Sequence, residues 1–362
     1  MRRFDLEHWG KFLLLAIALV ALPFLIDAAL GRAWVRIIDI ALLFVMLALG
    51  LNIVVGFAGL LDLGYIAFFA VGAYSYALLA SPHFGVHWPF LALLPIGAMF
   101  AAVFGVLLGA PTLKLRGDYL AIVTLGFGEI IRIFMNNLNR PVNITNGPQG
   151  ITLIDPLQVA GFSLSKTYML GGLTLAPVHL YYFVFLACAL LTIFISLRLE
   201  NSRIGRAWVA IREDELAASA MGINTRNVKL LAFAMGATFG GVAGGLFASF
   251  QGFISPESFA LLDSIMVLAM VVLGGIGNVG GVVLGAILLT ALPEALRYLG
   301  PMQEQWLGRV VVDPSGLRML MFGLALVLIM LFRPAGLWPS KTRQRELAGL
   351  TVQPAASGKH DG

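Results

Sequence analysis

The side chains in this chain best able to do chemistry are ionisable groups set inside apolar runs. Keeping each of them away from water costs free energy, so each implies a partner or a function. Glu129 and Arg132 stand three apart in the apolar run 117–135, on one side of any helix that holds them. That spacing suits a local ion pair or a polar lining. Thr124, Gly126 and Gly128 add a hydroxyl and two small residues to the same run, which suits close helix packing or the wall of a translocation path. Gly56, Gly59 and Gly64 surround Asp62; such a stretch makes a plain tight turn, or breaks a helix and offers free backbone N–H groups to a carboxylate. Asp39, Asp62, Asp118, Asp263 and Glu294 fall near the ends of apolar runs, where interfacial water solvates a charge. The five histidines, His8, His83, His87, His179 and His360, lie at termini, near loops or in the tail, so no catalytic residue and no metal ligand is expected. Cys188 is the single cysteine, which excludes a disulfide or a multi-cysteine metal site within the chain. No Gly-x4-Gly-Lys-Ser/Thr phosphate loop occurs, so the chain is expected to bind no cofactor itself.

The elements that position these residues follow from composition. Of 362 residues, 59% are hydrophobic and only 12% charged, and mean hydropathy is +0.90; too few charges are present to coat a water-soluble protein of this size. A helix crossing ~30 Å of hydrocarbon needs about 20 mostly apolar residues. Ten segments qualify: 12–30, 37–55, 63–80, 89–109, 117–135, 179–198, 228–250, 258–275, 279–299 and 316–333. The eighth and ninth are separated only by the turn from Gly274 to Gly281, and joining them makes nine. The expected fold is therefore an all-α polytopic bundle, with residues 1–339 as one transmembrane domain and 340–362 as a disordered cytoplasmic tail. The first segment follows Arg2, Arg3 and Lys11 but lacks a small-x-small cleavage site, so it reads as a retained helix. With the N-terminus inside, sixteen Lys and Arg residues fall on the cytoplasmic side and seven on the other, which places both termini in the cytoplasm and accounts for the net charge of +5 without nucleic acid. Residues 136–178 form an outer, periplasmic segment dense in turn formers, and 199–227 the largest inner loop.

That loop carries an amphipathic pattern. Ile204, Trp208, Ile211, Glu215 and Ala218 share a helical face, Met221 extends it, and Gly222 is a natural stop. A surface helix on the bilayer or on the bundle's own feet has this pattern, and so does a helix that docks into a groove on a soluble partner. Glu213, Asp214 and Glu215 argue against nucleic acid, since they repel phosphate.

Residues 205–224, Gly205-Arg206-Ala207-Trp208 through Ile211-Arg212-Glu213-Asp214-Glu215 to Ala217-Ala218 and Met221-Gly222-Ile223-Asn224, resemble the cytoplasmic loop of branched-chain amino acid permeases of ABC importers, the LivM-type subunit above all. Three further stretches resemble the same family: Gly56-Phe57-Ala58-Gly59-Leu60-Leu61-Asp62-Leu63-Gly64, Leu115-Arg116-Gly117-Asp118-Tyr119 through Thr124-Leu125-Gly126, and Thr145-Asn146-Gly147-Pro148-Gln149-Gly150; the Gly274–Gly281 turn completes the set. In that family the loop is the analogue of the EAA coupling loop. The resemblance therefore implies contact with an ATPase by Gly205, Arg206, Trp208, Ile211, Arg212, Glu215, Ala217, Ala218, Met221 and Gly222, with one residue more than the usual Glu-Ala-Ala run. The expected translocation path runs by Gly56, Gly59, Asp62, Gly64, Thr124, Gly126, Gly128 and Glu129. The implied function is a non-enzymatic permease subunit importing leucine, isoleucine and valine across a bacterial inner membrane. The implied partners are a homologous but distinct permease, two cytoplasmic ATPase subunits and a periplasmic solute-binding protein. Rival readings are a urea, amide or sugar permease, a channel without ATPase, and a membrane-embedded enzyme, for which no convergent catalytic residues are found.

Overall fold

The computed structural model describes residues 6–297 except 114, 116, 160, 161, 171 and 172, and positions scattered between 320 and 338. The expected tail, 340–362, lies outside the described residues, as does most of the expected tenth span, 316–333.

Nine of the apolar runs become helices. They are α1 (Leu6–Leu30), α2 (Arg32–Leu51), α3 (Ile66–Leu79), α4 (Phe90–Thr112), α5 (Asp118–Asn137) and α6 (Pro177–Glu200), followed after the inner loop by α9 (Thr225–Gln251), α10 (Leu261–Gly274) and α11 (Val279–Arg297). The loop itself holds α7 (Arg203–Glu213) and α8 (Glu215–Ala220). Among the described residues, five segments are long and apolar enough to cross a membrane: Arg32–Phe57, Phe90–Thr112, Pro177–Glu200, Thr225–Gln251 and Pro256–Gly274. The first is α2 with its continuation and is the most enclosed of the five, packed by α6, α9 and α11, with α1 and α10 beside it.

Small residues set how closely the helices approach. A Cβ placed on Gly72 of α3 would fall 2.2 Å from Gly241 O of α9, and one on Gly105 of α4 would fall 2.8 Å from Phe233 O. The backbones of α3, α4 and α9 thus touch directly. Tyr65, buried beside them, donates its hydroxyl to Gly236 O at 2.8 Å.

Two boundaries differ from the sequence expectation. The run 63–80 becomes helical only at Ile66, because residues 58–65 are held in a non-helical course by side chains of neighbouring helices. The eighth and ninth runs are separate helices, since Gly275 and Gly277 take φ of 119° and 81° and turn the chain back sharply. The segment 136–178 is turn-rich, as expected, and its strand Ile151–Thr152 pairs antiparallel with Phe253–Ile254 at the end of α9.

Candidate functional site

Two adjoining regions carry the singled-out residues: the α7–α8 pair at one end of the bundle, and the break at 58–65 beside it.

Ser202 starts α7 by accepting the Gly205 N–H on its Oγ at 3.0 Å. Gly205 has no room for a side chain, because a Cβ there would lie 2.1 Å from Leu199 O. One continuous helix over 205–222 was the expectation, and the structure replaces it with two. Asp214 takes extended φ/ψ of −153° and 108°, and its Oδ1 accepts the N–H groups of Leu216 and Ala217 at 2.8 and 3.0 Å. An aspartate with these donors two and three residues ahead is a strong N-cap, so it ends α7 and begins α8. Gly222, at φ +85°, stops α8.

This break divides the apolar stripe. Trp208, Ile211 and Ala218 are buried against the chain's own helices, and the Trp208 indole Nε1–H donates to Val228 O at 2.7 Å. Glu215 and Lys229 form an ion pair at 2.6 Å, with Lys229 buried. The expectation that Trp208, Ile211, Ala218 and Met221 offer one free face is therefore corrected: three of the four turn inward. The large apolar groups left facing outward are Ile204, 39% exposed, Leu216, 72% exposed, and Met221, 84% exposed. Arg206 is exposed and bonds Asn201 O at 3.0 Å, and Ala217 is exposed.

Arg212 points into the bundle. Its Nη1 donates to Gly56 O at 2.6 Å, and its aliphatic stem lies against Gly59, where a Cβ would come within 2.5 Å of Arg212 Cγ. Gly59 adopts φ of +69°, a second reason for glycine there. Gly56 belongs to a π-helical turn, Asn52–Phe57, that prolongs α2. Asn52 Oδ1 accepts the Gly277 N–H at 2.9 Å, and a Cβ on Gly56 would strike that same amide oxygen at 2.1 Å. One π turn, of a kind frequent at functional sites, thus joins α7, the end of α2 and the α10–α11 turn.

The break continues from this joint. Leu63 N–H donates to Thr124 Oγ1 at 3.0 Å, Gly64 N–H to Asp62 Oδ1 at 2.9 Å, and Ile66 N–H to Ser264 Oγ at 3.0 Å. Those three amides are occupied rather than free for a carboxylate. Gly64 packs onto α5, a Cβ on it meeting Thr124 O at 1.9 Å, and Gly128 lies across from it. Gly126, by contrast, has open space where a Cβ would stand. Glu129 is paired to Arg132, whose Nε and Nη2 reach its Oε2 at 3.0 and 2.9 Å; Arg132 Nη1 also reaches Glu257 Oε1 at 3.3 Å. The structure brings Gly56, Gly59 and Arg212 together, and separately Asp62, Gly64, Thr124 and Gly128. Gly126 and Glu129 stand apart on α5.

Asn52, Lys229, Ser264 and Glu257 were not picked out in the sequence. Asn52 had a signal, a lone amide in an otherwise apolar run. Lys229 stands at the start of the expected span 228–250, where it counts among the cytoplasmic charges; in the structure α9 begins at Thr225 and buries it.

Among known proteins, the family described as branched-chain amino acid transport system, permease component, matches residues 33–330. The chain is 43% identical over 345 residues to the high-affinity branched-chain amino acid transport system permease protein LivM of Escherichia coli K12, covering 92% of this chain and 75% of that protein. It is 41% identical over 351 residues to the LivM of Salmonella typhimurium, covering 93% and 77%. It is also 29% identical over 261 residues to the permease protein LivH of Escherichia coli K12, covering 70% and 81%. No solved structure matches the chain.

Proposed function

The chain belongs to the family of branched-chain amino acid transport permeases, and from that premise we propose that it is the membrane-spanning permease subunit of an ATP-binding cassette importer carrying leucine, isoleucine and valine. The observation that carries the ATP-driven part is the bond from Arg212 of α7 to Gly56 O at the end of α2. A helix outside the bundle is tied by it to the most enclosed helix inside, which is what a subunit without a nucleotide site needs if it is to be driven from its edge.

In this reading the chain crosses the bacterial inner membrane ten times with both termini in the cytoplasm, supported by the sixteen-to-seven division of basic residues. Two cytoplasmic ATPase subunits bind the ATP and Mg, and this chain binds neither. The surface offered to an ATPase is the outer side of α7–α8, with Leu216 and Met221 as its apolar contacts, while Trp208, Ile211, Arg212 and Glu215 fix the pair to the bundle. A homologous, distinct second permease is supported by the likeness to both LivM and LivH, which carry the same system name in one organism. A periplasmic solute-binding protein delivers the substrate on the side of 136–178.

The test is leucine uptake by proteoliposomes holding the purified complex. Uptake is expected to need ATP inside and to be competed by isoleucine and valine, and not by urea or ribose. ATP-independent uptake would establish a channel instead, and competition by urea or ribose alone would move the chain to another substrate class.

A further inference from the structure

A cavity of about 90 Å³ lies between α2, α3, α9 and α10. Leu43 and Leu47 of α2 and Ile66 and Phe69 of α3 make a buried, apolar floor. Its polar groups sit on one side only, in the partly exposed Ser258 and Asp263. Asp263 uses Oδ2 to accept the Ala260 N–H at 3.1 Å, and Ser258 is engaged with Ser255.

Protein interiors pack to crystal-like density, so a void of this size is kept at the expense of packing. Walls of Leu, Ile and Phe keep such a void dry and receptive to an apolar group. An apolar cavity of about 150 Å³ takes up benzene, so the smaller space here suits a compact aliphatic group such as the branched end of valine or leucine. A carboxylate among the lining residues suits a cation joined to that chain.

We infer that this cavity receives the aliphatic side chain of the transported amino acid, with Asp263 and Ser258 meeting its ammonium group. The inference rests on the reading of the chain as a branched-chain amino acid permease. It assigns the selection of chain length to the floor and that of the charged end to Asp263 and Ser258.

The experiment compares leucine and valine uptake in proteoliposomes holding the complete complex, for the wild type, Leu47→Phe and Asp263→Asn. Leu47→Phe fills part of the floor, and the leucine-to-valine ratio is expected to fall about tenfold, the scale on which a pocket discriminates by one methylene. Poor assembly lowers both uptakes alike and leaves the ratio unchanged, and so does a void that no substrate enters; Leu47→Phe with the wild-type ratio overturns the proposal. Asp263→Asn keeps an oxygen for Ala260 and is expected to lower both uptakes about tenfold without changing their ratio. If Leu47→Phe yields no transport at all, Leu43→Cys in a Cys188→Ala background decides: leucine should slow its modification by a small thiol reagent and ribose should not, and equal rates sink the assignment. Wild-type complex that fails to take up leucine fails the family reading, whereas wild-type uptake with unaltered variants fails the cavity alone.

Discussion

Truncating Trp208 to alanine asks whether α7 is held by its own bundle or waits for a partner. The indole is fully buried, with its N–H on Val228 O at 2.7 Å. Removing a buried aromatic of this size costs about 3–5 kcal/mol, and the hydrogen bond about 1 kcal/mol of stability beyond that. The Arg212–Gly56 bond and the Glu215–Lys229 pair remain to hold α7 and α8, so the lower end of the range applies to local detachment. About 3 kcal/mol shifts the balance between docked and detached α7 by about a hundredfold. Hydrogen exchange of the full-length protein in nanodiscs reads this directly: amides from Gly205 to Arg212 should exchange about a hundredfold faster in Trp208→Ala, and about fivefold faster in Trp208→Phe, which keeps the ring and loses the donor. Leu216→Ala and Met221→Ala, both on exposed positions, should leave exchange unchanged and reduce recovery of ATPase with the complex. The reasoning is refuted if Trp208→Ala leaves α7 protected while ATPase recovery drops, for then the indole serves the partner and not the bundle.

Arg212→Ala removes a charge-assisted bond worth about 1.5–3 kcal/mol; ATP hydrolysis should persist while uptake per ATP falls about tenfold, and an unchanged ratio of uptake to hydrolysis would contradict the coupling role. Gly64→Ala drives a Cβ to 1.9 Å from Thr124 O, whereas Gly126→Ala enters open space. Thermal unfolding should show a large loss for the first and a change within about 0.5 kcal/mol for the second, and equal effects would disprove the packing account. Topology is read by single cysteines in a Cys188→Ala background: a reagent that cannot cross membranes should reach Thr152→Cys from outside and Glu213→Cys only from inside, and the reverse labelling inverts the orientation.

Periodicity and hydropathy located the helices well because both signals are local. The apolar runs of α2, α4, α6 and α9 are long, and each needs only its own composition to be seen. The π turn at Asn52–Phe57 and the late start of α3 were not legible, since they depend on partners far along the chain: Gly277 for Asn52, Thr124 for Leu63 and Ser264 for Ile66. The glycines at 56, 59 and 64 were visible as a break, yet which backbone they touch is a tertiary fact. The amphipathic stripe at 204–221 was real, but its direction was not decidable by spacing alone. Asp214 offers both a continuing helix and a cap, and only the packed structure selects the cap that turns Trp208 inward and leaves Met221 outside. Arg212 was expected at an ATPase contact, because a helical wheel does not show that a long side chain reaches back to Gly56.

If α7 is pushed by a partner, as proposed above, the bonding pattern shows what that push meets inside the bundle. Helices α3, α4 and α9 touch backbone to backbone at their glycines, and an interior packed that closely yields by discrete steps rather than by compression. The course 58–65 is fixed by contacts of several kinds: Arg212 at Gly56 just before it, Thr124 Oγ1 at Leu63, Gly64 packed on the Thr124 carbonyl, Tyr65 on Gly236 O, and Ser264 at Ile66 just after it. The neutral bonds from Leu63 and Ile66 are worth about 1 kcal/mol each and the charge-assisted Arg212 bond about 1.5–3 kcal/mol. Two of these anchors sit on elements that also meet elsewhere: Arg212 on the edge helix α7, and Ser264 on α10, the helix that brings Asp263 to the cavity. On the proposed coupling, a shift of α7 would act first on the π turn and, through Asn52, on Gly277 in the turn that follows α10, the helix carrying Asp263.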